Sequence, residues 1–346
     1  MKAAVLSSVK KINVEDRPKP EIGLSEVLVK IQVCGICGTD SHAFQNGSLY
    51  PKGTIMGHEC SGIVSEVGND VRNVAVGDRV VINPAPPCWQ CHFCKNGRNN
   101  LCVEAFERDI GSTPERGGGF ATFLQIKWPE SMLYQLPDSL TFEQGALVEP
   151  LATSFHAVSQ SRFKQGDTAV VVGAGPIGLG VMQFLKISGA KKILVLEVVS
   201  QRINIALEAG ADRVLNPIEQ ADELAEQIIE YTDGLGPHIV YECSGVPAAF
   251  HSALNYVRGG GQIMTIGVIE KETPISLKTV LIKEAEIRGS MCYTATEFQT
   301  VIDLLQLNKI NTELMVSDVI PLEKIEEMGF MRLASSPEAI KILVKP

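Results

Sequence analysis

The sequence predicts an α/β protein in which an irregular, mostly antiparallel β region precedes a doubly wound parallel sheet. Three observations carry this expectation. Short β-like runs punctuated by Gly and Pro fill the first 150 residues. Strand and helix patterns then alternate from residue 151 to residue 266. A Gly-rich turn joins the first of those strands to its helix. The 346 residues suffice for two domains. A composition of 45% hydrophobic and 21% charged residues excludes extensive disorder. The net charge of −9 leaves no basic surplus to neutralise phosphates, so a nucleic-acid partner is not expected.

In chain order, Val27–Val33 alternates, and Gly62–Val67 and Arg79–Ile82 follow it, with Gly77-Asp78 as a turn. Leu151–Ser159 reads as a helix. Thr168–Val172 is a β run, Ile177–Ser188 an amphipathic helix, Lys192–Val198 a second β run and Gln201–Ala209 a second helix. His238–Glu242 and Gln262–Ile266 are further strands. Glu297–Leu307 reads as a helix and Ile340–Val344 as a last strand. No run approaches the roughly 20 apolar residues of a membrane span, and no signal or lipidation pattern is visible. A cytoplasmic location without a membrane partner is therefore expected. Seven of the nine cysteines fall between Cys34 and Cys102, which in a reducing compartment reads as metal binding before disulfides.

Gly173-Ala174-Gly175-Pro176-Ile177-Gly178 is GxGxxG between a β run and a helix. The first Gly permits the turn, the second lets a pyrophosphate approach the backbone, and the third lets helix and strand pack closely. Glu197 ends the next β run, where a carboxylate binds a ribose 2′-hydroxyl and repels a 2′-phosphate; NAD is expected over NADP. Arg202 can cover the adenine or be a solvated helix residue. Cys243-Ser244-Gly245 and Ile266-Gly267-Val268 end later strands, where ligands of such sheets bind, although ordinary strand-to-loop turns read the same way.

Cys88, Cys91, Cys94 and Cys102 have the spacing C-x2-C-x2-C-x7-C. Four thiolates close a tetrahedral zinc shell with no open position, which makes such a site structural. An iron–sulfur cluster is the chemical alternative, but its usual run closes with a shorter gap and a proline, and Val103 follows Cys102 here. Cys37, His58 and Glu59, with the distant Glu149, form a looser set. A thiolate, an imidazole and a carboxylate with a vacant place have the general form of a catalytic zinc. Cys34 and Cys37 also form CxxC, which leaves a redox pair open. Glu149 reads equally as an acidic charge in the first turn of a helix.

The segments Cys37-Gly38-Thr39-Asp40, Gly57-His58-Glu59, Cys88–Cys102, Val148-Glu149-Pro150-Leu151 and Gly173–Gly178 occur in the order found in zinc-dependent medium-chain dehydrogenases. The chain resembles that family over essentially its whole length. It is most similar to the polyol branch of sorbitol, galactitol-1-phosphate, butanediol and threonine dehydrogenases. The resemblance implies a GroES-like, mostly β catalytic domain made of residues 1–153 and 290–346, with a structural zinc lobe at 86–104. It implies an inserted Rossmann domain, 154–289, that binds NAD. It further implies two Zn2+ per chain, the catalytic one on Cys37, His58 and Glu59 with Glu149 direct or through water. Alcohol dehydrogenases proper carry a second Cys ligand where this chain has Glu149.

By the same resemblance Thr39 begins a proton relay, and the chain forms a homodimer or homotetramer. His42 is the candidate next member, histidine being the side chain type that carries protons near neutral pH. Thr39 and His42 read alternatively as a turn hydroxyl and a surface histidine. The expected reaction moves hydride from a secondary alcohol to NAD, giving a ketone. A polyol or sugar alcohol is the first expectation, a short vicinal diol the second and L-threonine the third. A sugar phosphate needs a basic clamp, for which Lys52, Arg116 and Lys283 are candidates. The rival class is a non-catalytic NAD-binding protein on the same fold. Such relatives generally lack counterparts of Cys37 and His58.

Overall fold

Two compact units divide the chain in this computed structural model, which describes every residue from Met1 to Pro346. The first holds Met1–Glu149, Thr294–Asn308 and Met315–Pro346; the second holds Pro150–Tyr293 and Lys309–Leu314.

In the first unit Val27–Gly35 is the organising strand. It pairs antiparallel with Glu59–Val67, Phe123–Ile126 and the C-terminal strand Lys341–Lys345. The sheet order runs Val316–Pro321, Lys341–Lys345, Val27–Gly35, Glu59–Val67, Arg79–Ile82, Leu133–Gln135. All pairings are antiparallel except that of Val316–Pro321 with Lys341–Lys345. A separate hairpin joins Lys2–Ser8 to Lys11–Asp16. Val29, Ile31, Ile82, Phe120, Ile126, Phe330 and Val344 are buried in one core. Each such side chain contributes about 1.5–3 kcal/mol by leaving water. The last strand thus lies inside a sheet whose other members span Val27 to Pro321.

The second unit is a six-stranded parallel sheet in the order Arg213–Leu215, Lys192–Leu196, Thr168–Val172, Ile239–Glu242, Gln262–Thr265, Glu286–Gly289. Every residue of Thr168–Val172 is buried. A parallel strand covered on both faces reads as an unbroken apolar run, and that is why these strands stood out without alternation. Helices Pro176–Ile187, Ser200–Glu208, Leu224–Tyr231 and Pro247–Tyr256 connect them. No helix of the protein is long and apolar enough to cross a membrane.

The N-terminal hairpin, the helix Gly38–Asn46 and the short strands Arg213–Leu215 and Glu286–Gly289 go beyond the sequence reading. Each is short or begins with Gly, so its local pattern is weak; partners elsewhere in the chain hold it.

Candidate active site

Cys37 ends the turn after the organising strand and caps the helix Gly38–Asn46. Its backbone N–H donates to Asp40 Oδ2 at 3.0 Å. Asp40 is fully buried and reaches a second segment, where Gly57 N–H donates to Oδ1 at 3.4 Å and His58 Nδ1 lies 3.7 Å away. One carboxylate therefore ties the Cys37 turn to His58. At that distance the carboxylate acts on the imidazole through its charge rather than through a hydrogen bond. Glu59 begins the next strand directly opposite Gly35. A Cβ at Gly35 would lie 2.1 Å from Glu59 Oε2, so only glycine leaves room for that carboxylate.

The ligand atoms of Cys37, His58 and Glu59 all lie within 4.8 Å of one another. Three donors around a zinc at about 2.0–2.3 Å require such convergence. Burial disfavours a charged imidazole at His58, but the Asp40 carboxylate and the Cys37 thiolate outweigh it and hold its pKa well above the usual value. The place therefore attracts a cation, and the soft-plus-hard donor set suits zinc. Glu149 stands in the first turn of the helix Val148–Ser159, outside the converging three, and within electrostatic reach of Lys341.

Lys341 is the unforeseen member. Its Nζ donates to Glu59 Oε1 at 2.6 Å, to Oε2 at 2.7 Å and to the Ile36 carbonyl at 2.9 Å. Burial alone would lower its pKa, but the carboxylate of Glu59 and the thiolate of Cys37 raise it, so the side chain stays cationic. Thr39 and His42 are both half-buried and lie one turn apart on the capped helix. The Tyr50 hydroxyl donates to Thr39 Oγ1 at 3.3 Å. Asp109 lies within electrostatic reach of His58. Asp40, Tyr50, Asp109 and Lys341 were not singled out from sequence. The only signal was Asp40, three residues after Cys37, where a capping box places an acid.

Of the candidate phosphate clamps, Arg116 is paired to Asp109 at 3.1 Å and to Ser112 Oγ at 3.0 Å. Lys283 donates to the carbonyls of Asn255 and Val257 at 2.7 and 2.8 Å. Lys52 is exposed.

Cys34 does not face Cys37 as a redox pair would. It sits opposite Cys60 across the sheet, Sγ to Sγ 3.4 Å, both buried. Cys243 and Cys292 are half-buried.

The quartet Cys88, Cys91, Cys94 and Cys102 likewise converges, its Sγ atoms within 4.8 Å of one another. Backbone N–H groups already point at the sulfurs: Cys88 N donates to Cys102 Sγ at 3.3 Å and Cys91 N to Cys88 Sγ at 3.3 Å. Donors from Cys94 and Val103 pull the Cys91 thiol down to about 6. Such N–H···S bonds stabilise thiolates, the form that binds metal. His92 is exposed beside this shell.

In the second unit Gly173 has φ of +93°. A Cβ at Gly178 would stand 1.9 Å from the Gly173 carbonyl, so the third glycine sets the close approach of helix to strand. The helix opens with Pro176 and Ile177. The buried Glu197 carboxylate accepts from Ala174 N–H at 2.7 Å and from Val198 and Val199 N–H at 2.8 Å each. It is held against the glycine turn and retains capacity for one more donor. Arg202 lies 3.8 Å from where a Cβ at Gly175 would be, across the mouth of that turn.

The turns Cys243–Gly245 and Ile266–Val268 are anchored by Glu242, which sequence reading missed. Its carboxylate accepts from Ser244 and Gly245 N–H at 2.8 and 2.9 Å. Its carbonyl accepts from Ile266 and Gly267 N–H at 2.9 Å. A Cβ at Gly245 would lie 2.7 Å from the Val268 carbonyl, and one at Gly173 would lie 3.3 Å from Ser244, so the three turns adjoin at the carboxyl end of the sheet.

Residues 23–138 match the alcohol dehydrogenase GroES-like domain family, and residues 176–306 match the zinc-binding dehydrogenase family. Sorbitol dehydrogenase of Bacillus subtilis (strain 168) is 33% identical over 351 residues, covering 100% of this chain and 97% of that protein. The crystal structure of 2R,3R-butanediol dehydrogenase from Bacillus subtilis superposes with a TM-score of 0.90 at 34% identity, covering 100% of this chain and 99% of that one. A structure from Sinorhizobium meliloti 1021, described as a zinc-binding dehydrogenase bound to NADP, gives 0.90 at 31% identity, with 100% and 99% covered. The mostly antiparallel first unit, the parallel sheet of the second, the converging metal donors and these likenesses agree. The chain belongs to the zinc-dependent medium-chain dehydrogenases, in the branch of the polyol dehydrogenases.

Proposed function

We propose that this enzyme oxidises the secondary carbinol of a polyol or short vicinal diol with NAD, and that the first unit is its catalytic domain and the second its nucleotide-binding domain. The observation that carries the reading is the convergence of Cys37, His58 and Glu59 within 4.8 Å. In this reading those residues hold the catalytic zinc, with Glu149 direct or through water, and the four cysteines hold a second zinc. When bound, zinc acts as a Lewis acid toward a substrate hydroxyl, and the nicotinamide accepts hydride.

The chain's own residues supply the rest. Asp40 holds His58 and the Cys37 turn in register. Lys341 balances the negative charge on Glu59 and Cys37. Thr39 Oγ1 accepts the substrate proton as its own hydroxyl proton leaves toward His42, one turn on, which passes a proton outward. Glu197 favours NAD, because a third anion beside its carboxylate would be repelled by it. Arg202 stands ready for the adenosine side. The pairing of Arg116 with Asp109 and of Lys283 with backbone carbonyls supports a neutral polyol ahead of a sugar phosphate.

None of the nine cysteines forms a disulfide, which supports a reducing, cytoplasmic setting. Leu277, Leu281 and Ile282 are exposed by 75%, 77% and 69% beside the edge strand Glu286–Gly289, which supports a homo-oligomer, dimer or tetramer. The test is oxidation of sorbitol, xylitol, 2,3-butanediol, galactitol-1-phosphate and L-threonine with NAD, followed by absorbance of the reduced nicotinamide. Turnover of the neutral polyols or the diol is expected. Activity confined to L-threonine or to the sugar phosphate would overturn the substrate ranking.

A further inference from the structure

We infer that Tyr50 is a specificity-determining residue that accepts the hydroxyl vicinal to the one oxidised, so that the enzyme selects 1,2-diol units over simple secondary alcohols. The inference deepens the proposed function and rests on it for the site of reaction.

The backbone aims Tyr50 inward at a cost. The capped helix stops at Gly47, and Leu49 then adopts φ of +74° while its side chain is 59% exposed. A leucine in the left-handed region is strained and, left in water, recovers nothing by packing. The turn is tight, with Tyr50 N–H donating to the Ser48 carbonyl at 2.9 Å. Its product is an inward Tyr50 ring, packed against the hydrophobic core of the first unit. The phenol lies within electrostatic reach of His58, Asp40 and Cys37, and its proton is held more tightly than in an ordinary tyrosine, chiefly through burial. It therefore remains a neutral hydroxyl at working pH.

The hydrogen-bond inventory then decides its role. Tyr50 donates its one proton to Thr39 Oγ1 at 3.3 Å. What remains on the phenolic oxygen is acceptor capacity. Thr39, two residues after Cys37 in the helix that Cys37 caps, is the partner of the reacting hydroxyl in the proposed function. The two protein oxygens stand 3.3 Å apart. Neighbouring oxygens of a gauche 1,2-diol stand about 3 Å apart, set by the staggered carbon–carbon bond. The pair therefore matches a diol oxygen for oxygen, one hydroxyl at Thr39 and its neighbour donating to Tyr50. A mono-alcohol uses Thr39 alone and leaves the phenolic acceptor unmet. Sites built to hydrogen-bond a substrate hydroxyl discriminate strongly against analogues that lack it.

The test compares the zinc-loaded wild type and Tyr50→Phe on 2,3-butanediol and 2-butanol, by kcat/KM with NAD and by calorimetric binding of each alcohol. Phe keeps the ring packing and removes only the oxygen. The expected result is a fall of about 10–100-fold in kcat/KM and affinity for the diol, with 2-butanol changed less than about threefold. An equal fall on both alcohols would overturn the inference by assigning Tyr50 a role through Thr39 alone. An unchanged diol would overturn it outright. If the wild type oxidises neither alcohol and none of the neutral polyols, the proposed function fails, and the ratio of binding affinities still judges Tyr50 on its own.

Discussion

Lys341 shows how much one buried residue decides at this site. An ammonium enclosed against Glu59 is stable only because the carboxylate is there, and the reverse holds equally. Lys341→Met leaves Glu59 buried beside the Cys37 thiolate with no counter-charge. We expect about 3–5 kcal/mol of destabilisation in denaturant titrations of the metal-stripped protein. Bound zinc supplies part of the missing positive charge, so the loss should be smaller in the zinc-loaded protein. Equal losses in both forms would separate Lys341 from the metal site. Cys37→Ala removes a donor on an already half-exposed turn. It should abolish turnover and catalytic zinc while leaving far-ultraviolet circular dichroism unchanged; an active variant would remove Cys37 from the ligand set.

Among elements, the cysteine lobe and the strand end at Glu197 have separate jobs. Cys94→Ala opens the quartet, whose loop has as regular structure the short helices His92–Lys95 and Asn99–Leu101. Zinc content should fall by one per chain, with faster proteolysis inside residues 86–104; a full zinc complement would count against the structural site. Glu197→Ala should raise kcat/KM for NADP relative to NAD by about tenfold, since a carboxylate's repulsion of a 2′-phosphate is lost. An unmoved ratio would mean that Glu197 serves only the glycine turn whose Ala174 N–H it holds.

A third element-scale test concerns pH. Asp233 follows the helix Leu224–Tyr231 and pairs with Lys191 and Lys192 at 2.7 and 2.9 Å, next to the strand Lys192–Leu196. Hydrogen bonds from those lysines lower its pKa from 3.8 to about 2. A depressed carboxylate stabilises the fold above its unfolded pKa and loses that effect as pH falls through the folded one. Asp233→Asn should therefore converge with the wild type below about pH 2 and be slightly the less stable above about pH 4, by thermal unfolding at each pH. A gap that widens toward acid would contradict the pairing.

For the whole molecule, the exposed helix Leu277–Lys283 has no buried residue although three of its seven are Leu or Ile. Leu281→Asp should lower the molar mass seen by light scattering if this face joins copies of the chain, with activity per zinc as the control for folding. An unchanged mass would place the oligomer contact elsewhere.

The sequence alone determined the two-part architecture, the strand–glycine–helix turn and the spacing of the cysteine quartet, whereas Cys37, His58 and Glu59 were a looser set that drew its meaning from the family resemblance. It could do so because these features are local: an apolar run, a turn needing glycine and a ligand spacing are written in adjacent residues. The tertiary structure alone decided the partners. It set Cys34 against Cys60 rather than Cys37, because sheet register chooses neighbours across strands. It brought Lys341 to Glu59 across 282 positions, Tyr50 to Thr39 through a strained turn, and Glu242 beneath two loops. A lone lysine, tyrosine or glutamate carries no periodicity, and its chemistry is set by what the fold places beside it once water is excluded.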